Sequence, residues 1–215
     1  MNCEHCCGAD SFFDLKKART QLKRYLKKGP LKSTKKLLEG LEDQNFNQKS
    51  LLDIGGGIGA ISWHFLQQGG RKITDVDSSK GYIRIAKENA DRNGWSDQCE
   101  FLFGDYAEIS EKITNHDFVS LDKVVCCYPD YKLLLKASIE KCDQILALTF
   151  PLGGPIAEFL NLLSRLMLKM SKNPFRPFIH PPKAIRAFIV SSGFKPIHRS
   201  ISFPWHVEIY HRISQ

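Results

Sequence analysis

The ten residues at 51–60, Leu-Leu-Asp-Ile-Gly-Gly-Gly-Ile-Gly-Ala, constrain the fold more than any other part of the sequence. A short apolar run leads into four glycines within five residues, and a helical pattern follows. This order predicts a buried strand that ends in a tight loop, where the backbone can approach a ligand without an intervening Cβ. Nucleotide-type ligands bind at such places, at the carboxyl ends of parallel strands. The segment therefore predicts a nucleotide-type site in an α/β fold.

Acidic residues stand at the ends of the first three predicted strands. Asp53 precedes the glycines, Asp77 ends the second predicted strand and Asp105 follows the third. An acid at the second of these places accepts hydrogen bonds from the hydroxyls of an adenosine ribose, and one at the third can meet an adenine amine. Taken singly, Asp77 also fits a helix cap and Asp105 a turn. In this order at strand ends, the three acids indicate one binding site.

The glycine loop departs from two common phosphate-binding patterns. The dinucleotide fingerprint lacks its third glycine, because Ala60 and Ile61 follow Gly59. No G-K-[ST] occurs either, so the loop supplies no lysine for a nucleoside triphosphate. An acid directly before the glycines suits a ligand whose head is an ammonium group rather than a pyrophosphate.

This combination resembles the class I S-adenosylmethionine-dependent methyltransferases. Their first motif matches residues 52–59, their second-strand acid matches Asp77, and their third motif matches residues 104–105. The resemblance implies S-adenosylmethionine as cofactor and S-adenosylhomocysteine as product, with Asp53 and the loop at the methionine portion, Asp77 at the ribose, and Asp105 with Tyr106 at the adenine. The implied cofactor-binding residues are Asp53, Gly55, Gly56, Gly57, Asp77, Ser78, Asp105, Tyr106 and Asp122.

The segment after the fourth predicted strand is expected to border the methyl acceptor. Together with residues 25–30 and 178–182, it resembles a small bacterial subgroup related to magnesium-protoporphyrin O-methyltransferase, although the porphyrin itself does not follow from that likeness. The predicted catalytic residues are Tyr128, His180 and Cys126, and the predicted substrate contacts are Tyr25, Cys127 and Tyr131. Residues 128–131 depart from the Asn/Asp-Pro-Pro-Tyr motif of nucleic-acid amino methylases, which disfavours methylation of a base.

Catalysis of methyl transfer needs mainly alignment and desolvation, with a general base only where the acceptor must lose a proton. His180, in the proline-rich segment 173–182, is the preferred base, although a single histidine is often structural. A carboxylate acceptor would need no base.

Strand and helix patterns alternate along the chain. Strands are predicted at 50–54, 72–76, 101–103, 118–121 and 144–150, and helices at 11–28, 31–43, 60–68, 80–92, 155–170 and 183–191. Segments 195–203 and 205–212 alternate like an antiparallel hairpin. The predicted fold is α/β, with a Rossmann-like doubly wound sheet that is mainly parallel, a C-terminal antiparallel hairpin and an N-terminal helical extension. Residues 1–48 are interpreted as a helical lid and 49–215 as the cofactor-binding domain. Helix 155–170 fits either a cover over the acceptor or ordinary packing on the sheet.

Seven cysteines include the adjacent pairs Cys6-Cys7 and Cys126-Cys127, which would be awkward to pair as disulfides. Reduced thiols and a cytoplasmic location are therefore expected, since the first residues also lack the apolar core of a signal peptide. Cys3, Cys6 and Cys7 could provide part of a zinc site, but a closed site needs four ligands, and a terminus with exposed thiols is the preferred interpretation. No resident metal is predicted.

The net charge of +8 has a local origin, because ten lysines and arginines lie between residues 16 and 36. They fall on one face of a helical pattern and are interpreted as a solvated surface, although an anionic substrate, an anionic lipid surface or RNA would also suit them.

The favoured function is methylation of a small-molecule acceptor at oxygen, sulfur or nitrogen. The alternatives are an RNA methyltransferase and a non-catalytic S-adenosylmethionine-binding or scaffold protein. Nucleic acid is disfavoured as a partner, no apolar run is long enough to span a bilayer, and peripheral membrane contact and oligomeric state stay open.

Overall fold

The computed structural model describes residues 4–171 and 173–213, with side chains from residue 7 onward. The described residues form one seven-stranded sheet and nine α-helices. The strands are β1 (Ser50–Ile54), β2 (Lys72–Asp77), β3 (Cys99–Phe103), β4 (His116–Asp122), β5 (Cys142–Pro151), β6 (Phe194–Ser202) and β7 (Trp205–Arg212). The helices are α1 (Glu4–Phe12), α2 (Leu15–Lys28), α3 (Lys32–Gly40), α4 (Ala60–Gln67), α5 (Lys80–Asn93), α6 (Tyr106–Ile109), α7 (Tyr131–Glu140), α8 (Pro155–Met170) and α9 (Pro182–Ser191).

The sheet has the strand order β3-β2-β1-β4-β5-β7-β6. The first five strands are parallel, whereas β7 runs antiparallel to both β5 and β6. Each face of the sheet has its own apolar core: one includes Leu52 and Val119, and the other Leu51 and Phe118. Neighbouring residues of one strand thus point to opposite faces, as expected for a sheet covered on both sides. The predicted Rossmann-like fold and its C-terminal hairpin are confirmed.

The element predictions fail in three places, one of which is the four-residue helix α6, which was not predicted. The predicted helix 11–28 is two helices, because α1 ends at Phe12 and the Asp14 carboxylate accepts a hydrogen bond from the Lys17 backbone N–H, 2.8 Å away, to begin α2. Helix α7 was not predicted; its N-terminus is capped by Asp130, which accepts from the N–H groups of Lys132 and Leu133.

The N-terminal helices pack in two different ways. Helix α2 places Ala18 and Leu22 against the glycine loop and α5. Helix α3 places Leu37 and Leu38 in the core of the main sheet, where both are buried. The predicted boundary at residue 48 stays a prediction, and α3 shares its core with the rest of the chain. Within the described ranges, we find no helix with the length and apolar character needed to cross a bilayer.

Candidate functional site

A cavity of about 360 Å³ opens at the carboxyl edge of the parallel strands. Its walls come from the ends of β1, β2 and β4, the glycine loop and helices α1 to α3. Of the predicted site residues, those that line it are Tyr25, Asp53, Gly55, Gly56, Gly57, Asp77, Ser78, Tyr106, Asp122, Cys127 and Tyr128. Among the described lining residues, Asp105, Cys126, Tyr131 and His180 do not appear. The structure therefore brings most of the predicted set into one space.

The glycine loop is shaped by close packing on both sides. Gly55 has a φ of 65°, and a Cβ there would collide with the Val124 side chain. A Cβ on Gly56 would lie 2.7 Å from a carboxylate oxygen of Asp75. Glycine is therefore required at both positions, at the first by conformation and contact and at the second by contact alone. The loop backbone stays open toward the cavity.

Asp53 is buried beside the loop at the end of β1. Its carboxylate accepts hydrogen bonds from the hydroxyls of Ser62, at 2.8 Å, and Ser120, at 2.6 Å. Burial raises the pKa of Asp53 to about 6, against the opposing effect of these hydrogen bonds. Asp53 thus presents a fixed acidic group whose charge is easily lost below neutral pH.

Asp77 connects the glycine loop to the start of α5. One carboxylate oxygen accepts from the Gly57 N–H at 3.1 Å and the other from the Ser79 N–H at 2.8 Å. Ser79 in turn caps α5 through its side chain, which accepts from the Tyr82 N–H. Burial raises the pKa of Asp77 to about 6. The residue has the turn-type hydrogen bonds of a structural acid and also lines the cavity.

Asp75 was not predicted, although it lies opposite Asp53 in the register of β1 and β2. It is buried, and neither of its carboxylate oxygens meets hydrogen-bond geometry with a donor among the described residues, although the nearby Gly56 backbone opposes the rise in its pKa. Burial and the nearby carboxylates of Asp53 and Asp77 hold the pKa of Asp75 well above its usual range. The alternation of side chains along β2 could have identified Asp75, because it makes Asp75 and Asp77 point to the same face of the sheet.

Asp105 acts on the cavity through a neighbour. Its Oδ1 accepts from the Tyr128 hydroxyl at 2.6 Å and from the Ala107 N–H at 3.0 Å. The Tyr128 oxygen also accepts from the Tyr106 N–H at 3.1 Å. These bonds fix the backbone of Tyr106 and the ring of Tyr128 at the cavity wall.

A second polar cluster joins α3 to the end of β4. The Asp122 carboxylate accepts from the hydroxyls of Thr34, at 2.5 Å, and Thr149, at 2.6 Å, and from the Lys123 ammonium at 2.7 Å. The Lys123 ammonium also donates to the Thr34 hydroxyl at 2.9 Å. Lys123 has a φ of 64°, a conformation that non-glycine residues rarely adopt. Thr34 and Lys123 line the cavity and were missed by the sequence reasoning, although Lys123 directly follows a predicted strand-end acid.

The remaining predicted acceptor residues pack behind the wall. The His180 Nε2 lies 2.8 Å from the Tyr128 carbonyl oxygen. The centroid of the His180 ring lies 4.8 Å from the centroid of the Tyr131 ring. Burial lowers the pKa of His180. The thiol groups of Cys126 and Cys127 lie 4.0 Å apart, and this contact, with burial, raises the pKa of Cys127 well above its usual range.

The N-terminal cysteines are only partly described. Cys3 and the Cys6 side chain lie outside the described residues, and Cys7 is exposed. From residue 7 onward, the described side chains include no group of three or more His, Cys, Asp or Glu residues arranged to hold a metal ion.

The polar groups that line the cavity fit a nucleoside that carries a cationic amino-acid tail. Glycine backbone lies beside two carboxyl groups, Asp53 and Asp77, and a pyrophosphate at this loop would face both acids. An ammonium group and ribose hydroxyls instead find acceptors there.

Residues 51–146 match the family model of a methyltransferase domain. This match, over somewhat less than half of the chain, and the shared fold of the solved structures below confirm the predicted resemblance to the class I methyltransferases and support S-adenosylmethionine as the cofactor. Among solved structures, magnesium protoporphyrin IX methyltransferase from Synechocystis PCC 6803 with bound S-adenosylhomocysteine is similar at a TM-score of 0.65 and 20% identity, covering 84% of this chain and 81% of that one. Mitomycin 7-O-methyltransferase is similar at a TM-score of 0.63 and 20% identity, covering 92% of this chain and 58% of that one.

A curated relative, the ribosomal protein L11 methyltransferase of Shewanella woodyi, is 39% identical over 61 residues, which are 28% of this chain and 21% of the relative. The matched segment thus spans about a fifth of that relative's length.

Proposed function

We propose that the protein is an S-adenosylmethionine-dependent methyltransferase that acts on a small-molecule acceptor at oxygen, sulfur or nitrogen. One observation carries the proposal: the glycine loop, Asp53 and Asp77 share a single cavity with residues of α1 to α3. The loop and acids form the cofactor half, and the N-terminal helices enclose the other half. Enclosure by three helices favours a compact acceptor over a folded polymer.

The cofactor half of the cavity has a role for each group. In this proposal Asp53 and the backbone of Gly55, Gly56 and Gly57 bind the methionine portion. Asp77 and Ser78 bind the ribose. Tyr106 contacts the adenine. Asp105 positions Tyr106 through its hydrogen bond with Tyr128. Asp122 positions Lys123 and Thr34 at the boundary of the two halves.

Bound in this way, S-adenosylmethionine would supply an activated methyl group: an acceptor lone pair would bond to the methyl carbon opposite the sulfur as the carbon–sulfur bond breaks, leaving S-adenosylhomocysteine. The chain's own residues align the acceptor and exclude water. Tyr25 and Cys127 line the acceptor side, and Arg24 and Lys123 bring positive charge to it.

His180 acts as a positioning residue in this arrangement. Burial lowers its pKa, so the ring is neutral at neutral pH, and its Nε2–H donates to the Tyr128 carbonyl. Tyr131 packs on the same ring, and Cys126 lies behind Cys127. An acceptor that is already ionised, such as a carboxylate, would then need no base.

Calorimetric binding of S-adenosylhomocysteine tests the cofactor half directly. Asp77→Asn weakens the acceptor for the ribose hydroxyls, and we expect binding about 10- to 100-fold weaker, as for loss of a hydrogen bond to a charged group. Asp143→Asn is the matched control, because this exposed residue bonds to Asn115 at the opposite edge of the sheet. Equal affinity of both variants would contradict the assignment, and a folded wild-type protein that fails to bind would favour the non-catalytic scaffold.

The RNA alternative is separated by its salt dependence. Binding to phosphates weakens steeply with salt, because each neutralised phosphate releases counterions. We expect RNA affinity to be weak and transfer of labelled methyl groups to occur with small acceptors alone. Tight, steeply salt-dependent RNA binding together with methylated RNA would overturn the small-molecule proposal.

A further inference from the structure

Helix α8 carries a continuous apolar face that the rest of the protein does not cover. None of its described side chains is buried. Seven apolar residues lie on one side of the helical wheel at the periodicity of an α-helix. Their exposed fractions are 75% for Ile156, 59% for Phe159, 53% for Leu160, 42% for Leu163, 53% for Leu166, 70% for Met167 and 77% for Met170.

The side of α8 turned to the body of the protein is the less apolar one. Ala157, Asn161, Ser164 and Leu168 are its half-buried residues, at spacings of four, three and four. A surface helix normally turns its apolar stripe to the core and its polar residues outward. Here the orientation is reversed, and exposed apolar patches of this kind mark interaction surfaces.

Helix α8 contacts a segment that packs behind the cavity wall. The Arg165 guanidinium lies 5.9 Å from the centre of the Phe178 ring, and the Phe178 N–H donates to the Cys126 carbonyl at 2.8 Å. Helix α8 also follows β5, whose carboxyl end belongs to the edge that holds the cavity. The apolar face is therefore presented at the same end of the molecule as the candidate site.

The polar side of α8 carries net positive charge. The helix contains Arg165 and Lys169 but a single acid, Glu158, in its first turn. Beyond its C-terminus, Phe175 stacks on Phe12 at 4.7 Å, and the Lys17 ammonium lies 3.3 Å from the Phe12 ring centre. Through Phe12 and Phe175, these contacts link Lys17, in the first turn of the basic helix α2, to the segment that follows α8.

We propose that α8 docks on an anionic phospholipid bilayer and lies in the plane of its interface. Apolar side chains enter the acyl boundary, and Arg165, Lys169 and the basic residues of α2 meet the headgroups. Sixteen residues extend about 24 Å as a helix, which is too short to span the hydrocarbon core. A second copy of the chain is less suited to this face, because it would bring two positively charged surfaces together.

Flotation with phospholipid vesicles tests the docking surface. We expect the wild-type chain to float with vesicles of phosphatidylcholine and phosphatidylglycerol, and much less with phosphatidylcholine alone. The double variant Phe159→Glu/Leu166→Glu should partition at least about tenfold more weakly, since it replaces inserted apolar groups with charges. Leu133→Glu/Val190→Glu is the matched control, because these helical residues are 54% and 47% exposed on α7 and α9.

The variant Arg165→Gln/Lys169→Gln separates the electrostatic contribution to vesicle binding from the contribution of the inserted apolar side chains. It should retain part of the partition but lose the preference for anionic vesicles. Calorimetry with S-adenosylhomocysteine checks that each variant is folded, independently of vesicle binding. A wild-type protein that does not float with anionic vesicles would overturn the proposal. So would equal partition of the α8 variant and the α7/α9 control, or a dimer in sedimentation equilibrium that only the α8 variant dissociates.

Discussion

Three carboxyl groups, those of Asp53, Asp75 and Asp77, lie beneath one glycine loop. They differ in the number of hydrogen bonds that they accept. Asp53 and Asp77 each accept two hydrogen bonds, whereas Asp75 has no partner among the described residues. Burial raises the pKa of all three. Each acid is therefore less stable as an anion in the folded chain than in the unfolded chain. The loop is held over a site whose charge changes near pH 6.

Affinity for S-adenosylhomocysteine should fall in mild acid. Asp77 must be ionised to accept two ribose hydroxyl hydrogen bonds, and its pKa is about 6. Below that pH the affinity should drop by up to about tenfold per pH unit. Calorimetry across this range checks the slope, and Asp77→Asn should show a clearly shallower one. An affinity that is constant through pH 6 would contradict the role of Asp77.

Asp75→Asn should stabilise the protein at neutral pH. A raised pKa in the folded state means that the stability from Asp75 is present in acid and lost as the pH rises through its folded pKa. Asn removes that ionisation, so we expect a gain of about 1–3 kcal/mol in the free energy of unfolding at neutral pH and little difference near pH 4. Urea unfolding at both pH values measures the change.

Asp117→Asn supplies a control of opposite sign. Burial alone would raise the pKa of Asp117, but hydrogen bonds from Ser50 and the ion pair with Lys49 hold it below its usual range. Its replacement should therefore destabilise the protein at neutral pH. Parallel behaviour of the two variants would contradict the assignment for Asp75.

The acids of the site were predictable to the extent that they follow strands. Asp53 and Asp77 were found because strand ends converge at one edge of a parallel sheet. Asp75 was missed because what distinguishes it is the lack of a hydrogen-bond partner among the described residues. That lack depends on how β1 and Gly56 pack against Asp75 in the folded chain. His180 was expected at the cavity, but the position of segment 173–181 depends on distant contacts, such as the one with the Tyr128 carbonyl.

At the scale of single elements, regular patterns gave good bounds and irregular ones did not. Helix α8 has the predicted limits of 155 and 170, because proline begins it and its apolar residues recur at helical spacing. Helix α7 was missed because its three consecutive leucines show no clear periodicity. The break before α2 depends on the single cap at Asp14 inside a continuous helical pattern.

Gly55→Ala should be more harmful than its backbone conformation alone implies. Gly55 and Gly94 have similar φ values of 65° and 73°, but a Cβ at Gly94 meets nothing within 4 Å. We expect Gly94→Ala to cost about 1 kcal/mol of stability, and Gly55→Ala to cost more and to abolish cofactor binding. Adding Val124→Ala should recover part of the lost stability. Denaturation and calorimetry compare the variants, and equal losses would contradict the role of the Val124 contact.

At the scale of the whole molecule, the N-terminal helices belong to the cavity and to the core at once. All three helices line the cavity, and α3 also inserts Leu37 and Leu38 into the core and binds Asp122 through Thr34. A sequence alone does not reveal this division, because α2 and α3 both look amphipathic and the sequence pattern does not separate α1 from α2.

Two truncations should separate these roles. A chain of residues 29–215 should unfold cooperatively but bind S-adenosylhomocysteine at least about tenfold more weakly, since it loses the packing of Ala18 and Leu22 on the loop and α5. A chain of residues 44–215 should lose cooperative unfolding, because the core loses α3. Circular dichroism during thermal unfolding and calorimetry distinguish the outcomes. A cooperative, cofactor-binding chain of residues 44–215 would contradict this account.

The position of β7 also determines when the sheet can be completed. Because β7 lies between β5 and β6, the last of the described strands is an interior strand of the sheet. Until residues 205–212 have been synthesised, β5 has an open edge and β6 has no neighbour to pair with among the described strands. A nascent or prematurely terminated chain therefore exposes a long apolar edge, a recognised site of aggregation. Completion of the sheet therefore waits for the hairpin of β6 and β7, whereas the glycine loop that shapes the site is synthesised much earlier.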